Sequence, residues 1–292
     1  MRIKDEILNC VIYLYPSRAA AESRENAGGS GFVVGVESAA APGAYWLYAV
    51  TNRHVVENGA SRTILFNTQG GRMEIFATDL DSWVRAEQDD LAVYSLTGEQ
   101  SKLQSCPVTQ DQFITPEILE RYRIGPGDEA FMVGRFVIHA GEQTDIPSVR
   151  FGNVSMMPAL VDLGHGHVRQ ESFLVEMRSS SGYSGSPVFV YIPPSDLPFR
   201  RIKEHACGPW LLGINCAHFF DWGRIYEGDK KTCHDELLAQ LNTGMAAIIP
   251  AWKLRELLND SKLVKERKRD DEVLKRSQNE SPNTSDVTAG CE

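Results

Sequence analysis

The stretch that most constrains this chain is Gly182-Tyr183-Ser184-Gly185-Ser186-Pro187, followed at once by the apolar run Val188-Phe189-Val190-Tyr191-Ile192. Glycines and a proline bracket a serine immediately before a strand. Glycine takes backbone angles a larger residue avoids, and proline locks its own, so such a turn is tight and holds one shape. A turn of that kind can present one hydroxyl at a set angle and aim backbone N–H groups at a point beside it, as an acyl-transfer nucleophile requires. Taken alone, the same stretch also fits an ordinary serine-rich hairpin turn.

A serine hydroxyl is a weak nucleophile. It needs a neighbouring base, usually histidine, and the histidine needs an orienting carboxylate. Two upstream segments carry candidates. Tyr48-Ala49-Val50-Thr51-Asn52-Arg53-His54-Val55-Val56 places a histidine at the end of an apolar strand, and Asp89-Asp90-Leu91-Ala92-Val93-Tyr94 places an acid at the start of another. The order along the chain is His, Asp, Ser.

These segments resemble the trypsin-like serine peptidases of the chymotrypsin superfamily, most of all the bacterial branch that includes the high-temperature-requirement proteases. That branch has T-x-x-H-V-V, D-L-A-V and G-x-S-G-S/G-P segments in this order. Leu211-Leu212-Gly213-Ile214-Asn215 is similar to the family's strand beside the substrate, and Gly244-Met245-Ala246-Ala247-Ile248-Ile249-Pro250 to its last barrel strand. The similarity covers residues 8 to 255. It implies an all-β fold of two antiparallel six-stranded barrels packed together, followed by a C-terminal helix. The 36 positions from His54 to Asp90 and the 94 from Asp90 to Ser184 fit two successive barrels.

The resemblance implies roles. Ser184 would attack the scissile carbonyl, His54 would move the proton, and Asp90 would hold the imidazole. Asp89 is the competing carboxylate, and Asp90 is preferred because it directly precedes Leu91-Ala92-Val93. The backbone N–H groups of Gly182 and Ser184 would form the oxyanion hole. Tyr183 stands where the digestive enzymes carry an aspartate that pairs with a newly cut N-terminus, so that mode of activation is not expected; a mobile loop, a regulatory partner or scarce substrate would hold activity in check. The primary pocket would be walled by Arg178, Ser179 and Ser180, by Cys216, Ala217 and His218, and by Gly244 to Ala246. Its base has no acid, so a taste for Lys or Arg is not supported. Arg178 with His218 would favour an acidic side chain; with Arg178 turned to solvent, a small or apolar preference follows.

Composition narrows the remaining classes. With 30 Lys+Arg against 39 Asp+Glu, the net charge of −9 argues against a general nucleic-acid binder. No run of about 18 apolar residues suggests a membrane span. The N-terminus lacks a signal-type apolar segment, and the six cysteines have no regular spacing, so a cytoplasmic chain with free thiols is expected. His205, Cys207, Cys233 and His234 lack regular ligand spacing, and neither a metal nor a cofactor is expected. His139, His165 and His167 read as residues without chemical duty.

The closely spaced strand-like segments indicate barrels or sandwiches. Expected strands are Cys10–Tyr15, Gly28–Val36, Ala44–Thr51, Thr63–Asn67, Met73–Thr78 and Leu91–Leu96, then Glu129–Gly134, Val149–Met156, Ser172–Met177, Val188–Ile192, Trp210–Asn215 and Met245–Ile249. The expected division is 1–98 for the first barrel, 99–124 for a linker whose helix Pro116–Tyr122 is capped by Thr115, 125–250 for the second barrel, 251–276 for the C-terminal helix, and 277–292 for a disordered tail. Ser17 to Asn26 reads as a loop. Phe219 to Asn242 reads as an insertion, its later half Cys233–Leu241 at helical spacing, with a lid as one role. With 42 residues after Pro250, no attached peptide-binding domain is expected. The expected partner is a polypeptide substrate, with one dedicated target as a candidate. A silent binding protein on the same fold, or an esterase, are the competing readings.

Overall fold

The computed structural model describes residues 2–68, 72–97, 106–135, 146–163, 169–179, 182–200, 208–227 and 232–280. Ser180, His139, His165, His167, His205 and Cys207 lie outside the described residues, as does the stretch from 281 onward. The side chains of Cys233 and His234 do too.

Seven strands form the path of the first sheet: β1 Val11–Tyr15, β2 Gly29–Glu37, β3 Tyr45–Thr51, β4 Thr63–Asn67, β5 Met73–Ala77, β6 Trp83–Arg85 and β7 Ala92–Ser95. Their order is β5-β4-β1-β2-β3-β7-β6. A short β8, Val108–Thr109, adds in parallel to β2 at Val34 and Gly35, beyond the part of β2 that β1 occupies. This sheet is a half-barrel and not a closed ring among the described residues. The second sheet closes. Its strands are β9 Glu129–Arg135, β10 Pro147–Asp162, β11 Arg169–Glu176, β12 Pro187–Tyr191, β13 Trp210–Glu227 and β14 Thr232–Pro250, in the order β10-β11-β14-β13-β12-β9. The chymotrypsin-like, mainly β architecture expected from the sequence is the one observed.

One continuous apolar cluster joins the halves. Phe32, Tyr48 and Val50 from the first sheet belong to it with Phe131, Phe189 and Ile214 from the second. Burying each such side chain stabilises the fold by about 1.5–3 kcal/mol. Between the sheets lies the helix Pro116–Tyr122, with Thr115 Oγ1 accepting from Ile118 N at 3.3 Å. Counting helices in chain order, Asp5–Leu8 is α1, Arg18–Ser23 α2, Arg53–Val56 α3, Pro116–Tyr122 α4, Ala251–Leu258 α5 and Ser261–Glu280 α6.

Three expectations are corrected. Residues 17–26 are not all loop, because Ser17 caps the alanine-rich α2 by accepting from Ala20 N at 3.1 Å. Cys233–Leu241 is not helical. It pairs with β13 from Tyr226↔Cys233 to Asp221↔Leu241, so residues 219–227 and 232–242 form a β-ribbon. The leucines at 237, 238 and 241 mimic helical spacing, but pairing with the adjacent strand overrides local preference. The C-terminal helix is two helices, and α6 runs to Glu280, into the stretch expected to be disordered. No helix among the described residues is long and apolar enough to cross a membrane.

The mixed-charge sequence of α6 reads as a solvated helix, yet one face is docked on the first sheet. Leu263 is fully buried. Arg267 Nη1 donates to Tyr48 Oη at 3.1 Å with its guanidinium over that ring, and Nη2 donates to Leu258 O at 2.8 Å. The Asp271 carboxylate accepts from Ser38 Oγ at 2.5 Å and from Trp46 Nε1 at 3.0 Å. Burial alone would raise its pKa, but hydrogen bonds from Ser38, Trp46 and the Ala39 and Ala40 amides outweigh that and hold the carboxyl below the ordinary aspartate range. Its folded pKa being depressed, its contribution is present above the unfolded value and is lost as pH falls through the folded one. Asp271→Ala is therefore expected to weaken α6 docking by about 1–3 kcal/mol. Amide exchange should accelerate across 261–276 at neutral pH and leave the barrel strands unchanged; acidification should reproduce the effect in the unsubstituted protein.

Candidate active site

The Gly182–Pro187 turn lies at the meeting of the two sheets and is gripped from both sides. From β2, Ser30 N donates to Ser184 O at 2.8 Å and Ser30 Oγ donates to Gly182 O at 2.7 Å. From β13, Asn215 N donates to Ser186 O at 3.0 Å and accepts through its carbonyl from Gly185 N at 2.9 Å. Asn215 Nδ2 adds a bond to Tyr183 O at 2.9 Å. Gly182 and Gly185 have φ of +91° and +85°. A Cβ on Gly185 would stand 2.1 Å from Ser30 O, so glycine is required there for shape and for space.

Tyr183 is fully buried under this turn. Its hydroxyl bonds to Ser148 Oγ, accepts from Arg150 Nε at 3.1 Å, and the Arg150 guanidinium lies 5.3 Å from the ring centre. A buried phenol anchored to β10 thus lies under the serine turn.

His54 and Asp90 come from the first sheet. β3 ends at Thr51, and Asn52 leads into the single turn of α3, which carries His54. Asp90 lies just before β7, the antiparallel partner of β3. Its carboxylate takes the His54 backbone N–H through Oδ1 at 2.8 Å, and Oδ2 lies 2.6 Å from His54 Nδ1. A carboxylate partner at this distance suits Nδ1 as the donor, and in that tautomer of the neutral ring the lone pair lies on Nε2. Asn52 Nδ2 donates to Asp90 O at 2.9 Å, fixing the segment from the other side.

Asp89 points elsewhere. Gln170 of β11 receives Asp90 N on Oε1 at 3.1 Å and donates from Nε2 to Asp89 Oδ1 at 2.7 Å. Lys253 of α5 stands 3.9 Å from Asp89 and 3.4 Å from Glu171. Burial alone would lower the Lys253 pKa; Asp89, Glu256 and Glu171 outweigh it and push it above the ordinary range. Gln170 and Lys253 carry no local motif, and only their position in the fold reveals them. Asn52, two residues before His54, could have been suspected from its place at the helix start.

His54, Asp90 and Ser184 line one cavity of about 670 Å³ with Leu163, Cys216, Ala217, His218 and Phe220. No hydrogen bond joins Ser184 to His54 among the described residues, although both line the same cavity. The N–H groups of Gly182 and Ser184 donate to no other backbone group among the described residues. Of the expected pocket walls, Cys216, Ala217 and His218 line the cavity, while Arg178, Ser179, Gly244 and Ala246 are not among its lining residues. Arg178 is exposed; Ser179 is buried, its Oγ accepting from Asn215 Nδ2 at 3.2 Å. Gly244 holds a φ of +78°, and Ala246 is buried in β14 opposite Val175 and His218. Burial, and then the Asp90 carboxylate, push the Cys216 thiol far up, so it is no rival nucleophile.

The chain belongs to the trypsin-like peptidase domain family, whose model matches residues 29–190, more than half of it and a span holding His54, Asp90 and Ser184. Among solved structures it is similar to the protease domain of MamO from Magnetospirillum magneticum in its apo form, at 17% identity and TM-score 0.48, covering 87% of this chain and 98% of that one. Deg5 is similar at 16% identity and TM-score 0.47, with 86% and 88% covered. The HtrA-type protease AlgW with tripeptide is similar at 18% identity and TM-score 0.48, with 88% and 62% covered. No curated protein sequence matches the chain.

The buried phenol yields a stability prediction. Tyr183→Phe leaves Ser148 and Arg150 facing an apolar edge and should cost about 1–3 kcal/mol. Urea unfolding monitored by tryptophan fluorescence reads this as a lower midpoint at unchanged slope.

Proposed function

We propose that the protein is a serine endopeptidase that cleaves polypeptides through an acyl-enzyme, without a cofactor. The observation that carries this reading is the 2.6 Å contact from His54 Nδ1 to the Asp90 carboxylate, with Ser184 on the same cavity wall. Ser184 Oγ attacks the carbonyl carbon as its proton passes to His54 Nε2. Asp90 stabilises the imidazolium that forms. The oxyanion accepts hydrogen bonds from the Gly182 and Ser184 N–H groups, each worth about 3–4 kcal/mol in the barrier. The tetrahedral intermediate collapses, the C–N bond breaks, and His54 delivers the proton to the leaving amine. Water then repeats the sequence on the ester and regenerates Ser184.

Wild-type protein should be labelled by a fluorophosphonate, and Ser184→Ala should not. Asp90→Asn should lower kcat by about 10⁴-fold, because the imidazole loses its orienting charge. Failure of the folded wild type to label would favour a binding protein on this fold.

The apolar wall of Leu163, Cys216, Ala217 and Phe220, with Arg178 outside the cavity, supports a small or apolar residue at the cleavage position. Peptide-library cuts should therefore cluster after such residues. Clustering after Asp or Glu would assign the selectivity to His218 and Arg178 instead.

A further inference from the structure

β13 pairs with β12 only up to Ile214, and β14 pairs with β11 only from Met245 onward. Between these points the two strands leave the barrel and pair with each other, through Phe220↔Asn242, Asp221↔Leu241, Trp222↔Gln240, Gly223↔Ala239 and Arg224↔Leu238. A two-stranded ribbon on its own is marginal in water, and apolar side chains on it are not explained by a core.

Strand alternation sorts those side chains. Directly paired residues share a face, and so do alternate residues on one strand. Phe220, Trp222 and Leu238 therefore occupy one face, each paired directly with a polar residue (Asn242, Gln240 and Arg224), and Leu241 occupies the other. The first three are 40%, 59% and 53% exposed. Phe220 also belongs to the wall of the cavity that holds His54 and Ser184, and its ring meets His218 edge-on at 4.5 Å. The face that carries these three apolar side chains thus begins at the cavity wall and continues outward. From Phe220 to Arg224 it spans about 13 Å, the length of about four extended residues.

We propose that this ribbon face is a secondary substrate site, which binds an extended apolar or aromatic segment of the polypeptide remote from the scissile bond. The proposal rests on the endopeptidase reading. Continuity chooses the occupant: an extended chain seated at Ser184 and leaving past His218 and Phe220 meets Trp222 next on the same face, with Leu238 beyond it. The site selects for unfolded segments, because a four-residue extended apolar stretch is accessible only there.

The test uses the double variant Trp222→Ser with Leu238→Ser, and Leu241→Ser on the opposite face as control. All three positions are more than half exposed, so the core is untouched. Two rates are read in the full chain: fluorophosphonate labelling, and kcat/KM on β-casein. The proposal expects the double variant to label at the wild-type rate and to lose about tenfold or more on β-casein, mainly through KM, while Leu241→Ser behaves as wild type. Equal casein turnover in the double variant, with labelling intact, overturns the proposal and leaves the endopeptidase reading standing. Equal losses in the double variant and the control overturn it as well. A dimer in sedimentation that the double variant abolishes would assign the face to a second copy, against the proposal. Absence of labelling in wild type removes both readings together.

Discussion

The two hydrogen bonds from Ser30 to the Gly182–Ser184 turn are the interaction on which the arrangement depends. Ser30 belongs to the first sheet and the turn to the second, and they are 152 residues apart for the Oγ bond. His54 and Asp90 ride on the first sheet, Ser184 on the second. Without a rigid junction, three side chains from two sheets would not share a cavity. The junction is backbone-dense: Thr51 Oγ1 donates to Ser30 O at 2.8 Å, which ties the strand delivering His54 to the same residue that grips the serine turn. Low-dielectric surroundings strengthen each of these bonds, and leaving one unmade would be costly.

Asp90 is held with comparable thoroughness. Its carboxylate meets both the backbone and the ring of His54, its carbonyl accepts from Asn52, and its N–H donates to Gln170. Gln170 in turn bonds Asp89, which faces Lys253 on α5. The adjacent acids are thus separated by partner: one orients an imidazole, the other anchors a C-terminal helix. α6 extends that anchoring to the outer part of the first sheet through Arg267 and Asp271.

Tyr183 and the ribbon of β13 and β14 mark where this chain differs most from what a short motif conveys. In the serine turn, a buried phenol bonded to Ser148 and Arg150 occupies the position that could have carried an acid. That anchor ties the turn to β10. The ribbon places aromatic and leucine side chains in solvent beside the cavity.

What could be read from the sequence by itself was whatever depends on neighbours in the chain. Most strands followed from short apolar runs between turn residues, the α4 cap from Thr115-Pro116, and the convergence candidates from three local motifs. The choice of Asp90 over Asp89 came from position against Leu91-Ala92-Val93. Only the tertiary structure decided the rest, because the deciding contacts join residues far apart. Gln170, Lys253 and Ser30 carry no local signature. The leucines of 237–241 sit at helical spacing and form a strand because β13 is alongside to take their hydrogen bonds. The charges of α6 look solvated until Tyr48, Ser38 and Trp46 are brought to them. Local sequence sets what a segment can be; which partner satisfies its polar groups is settled only once the sheets have closed around it.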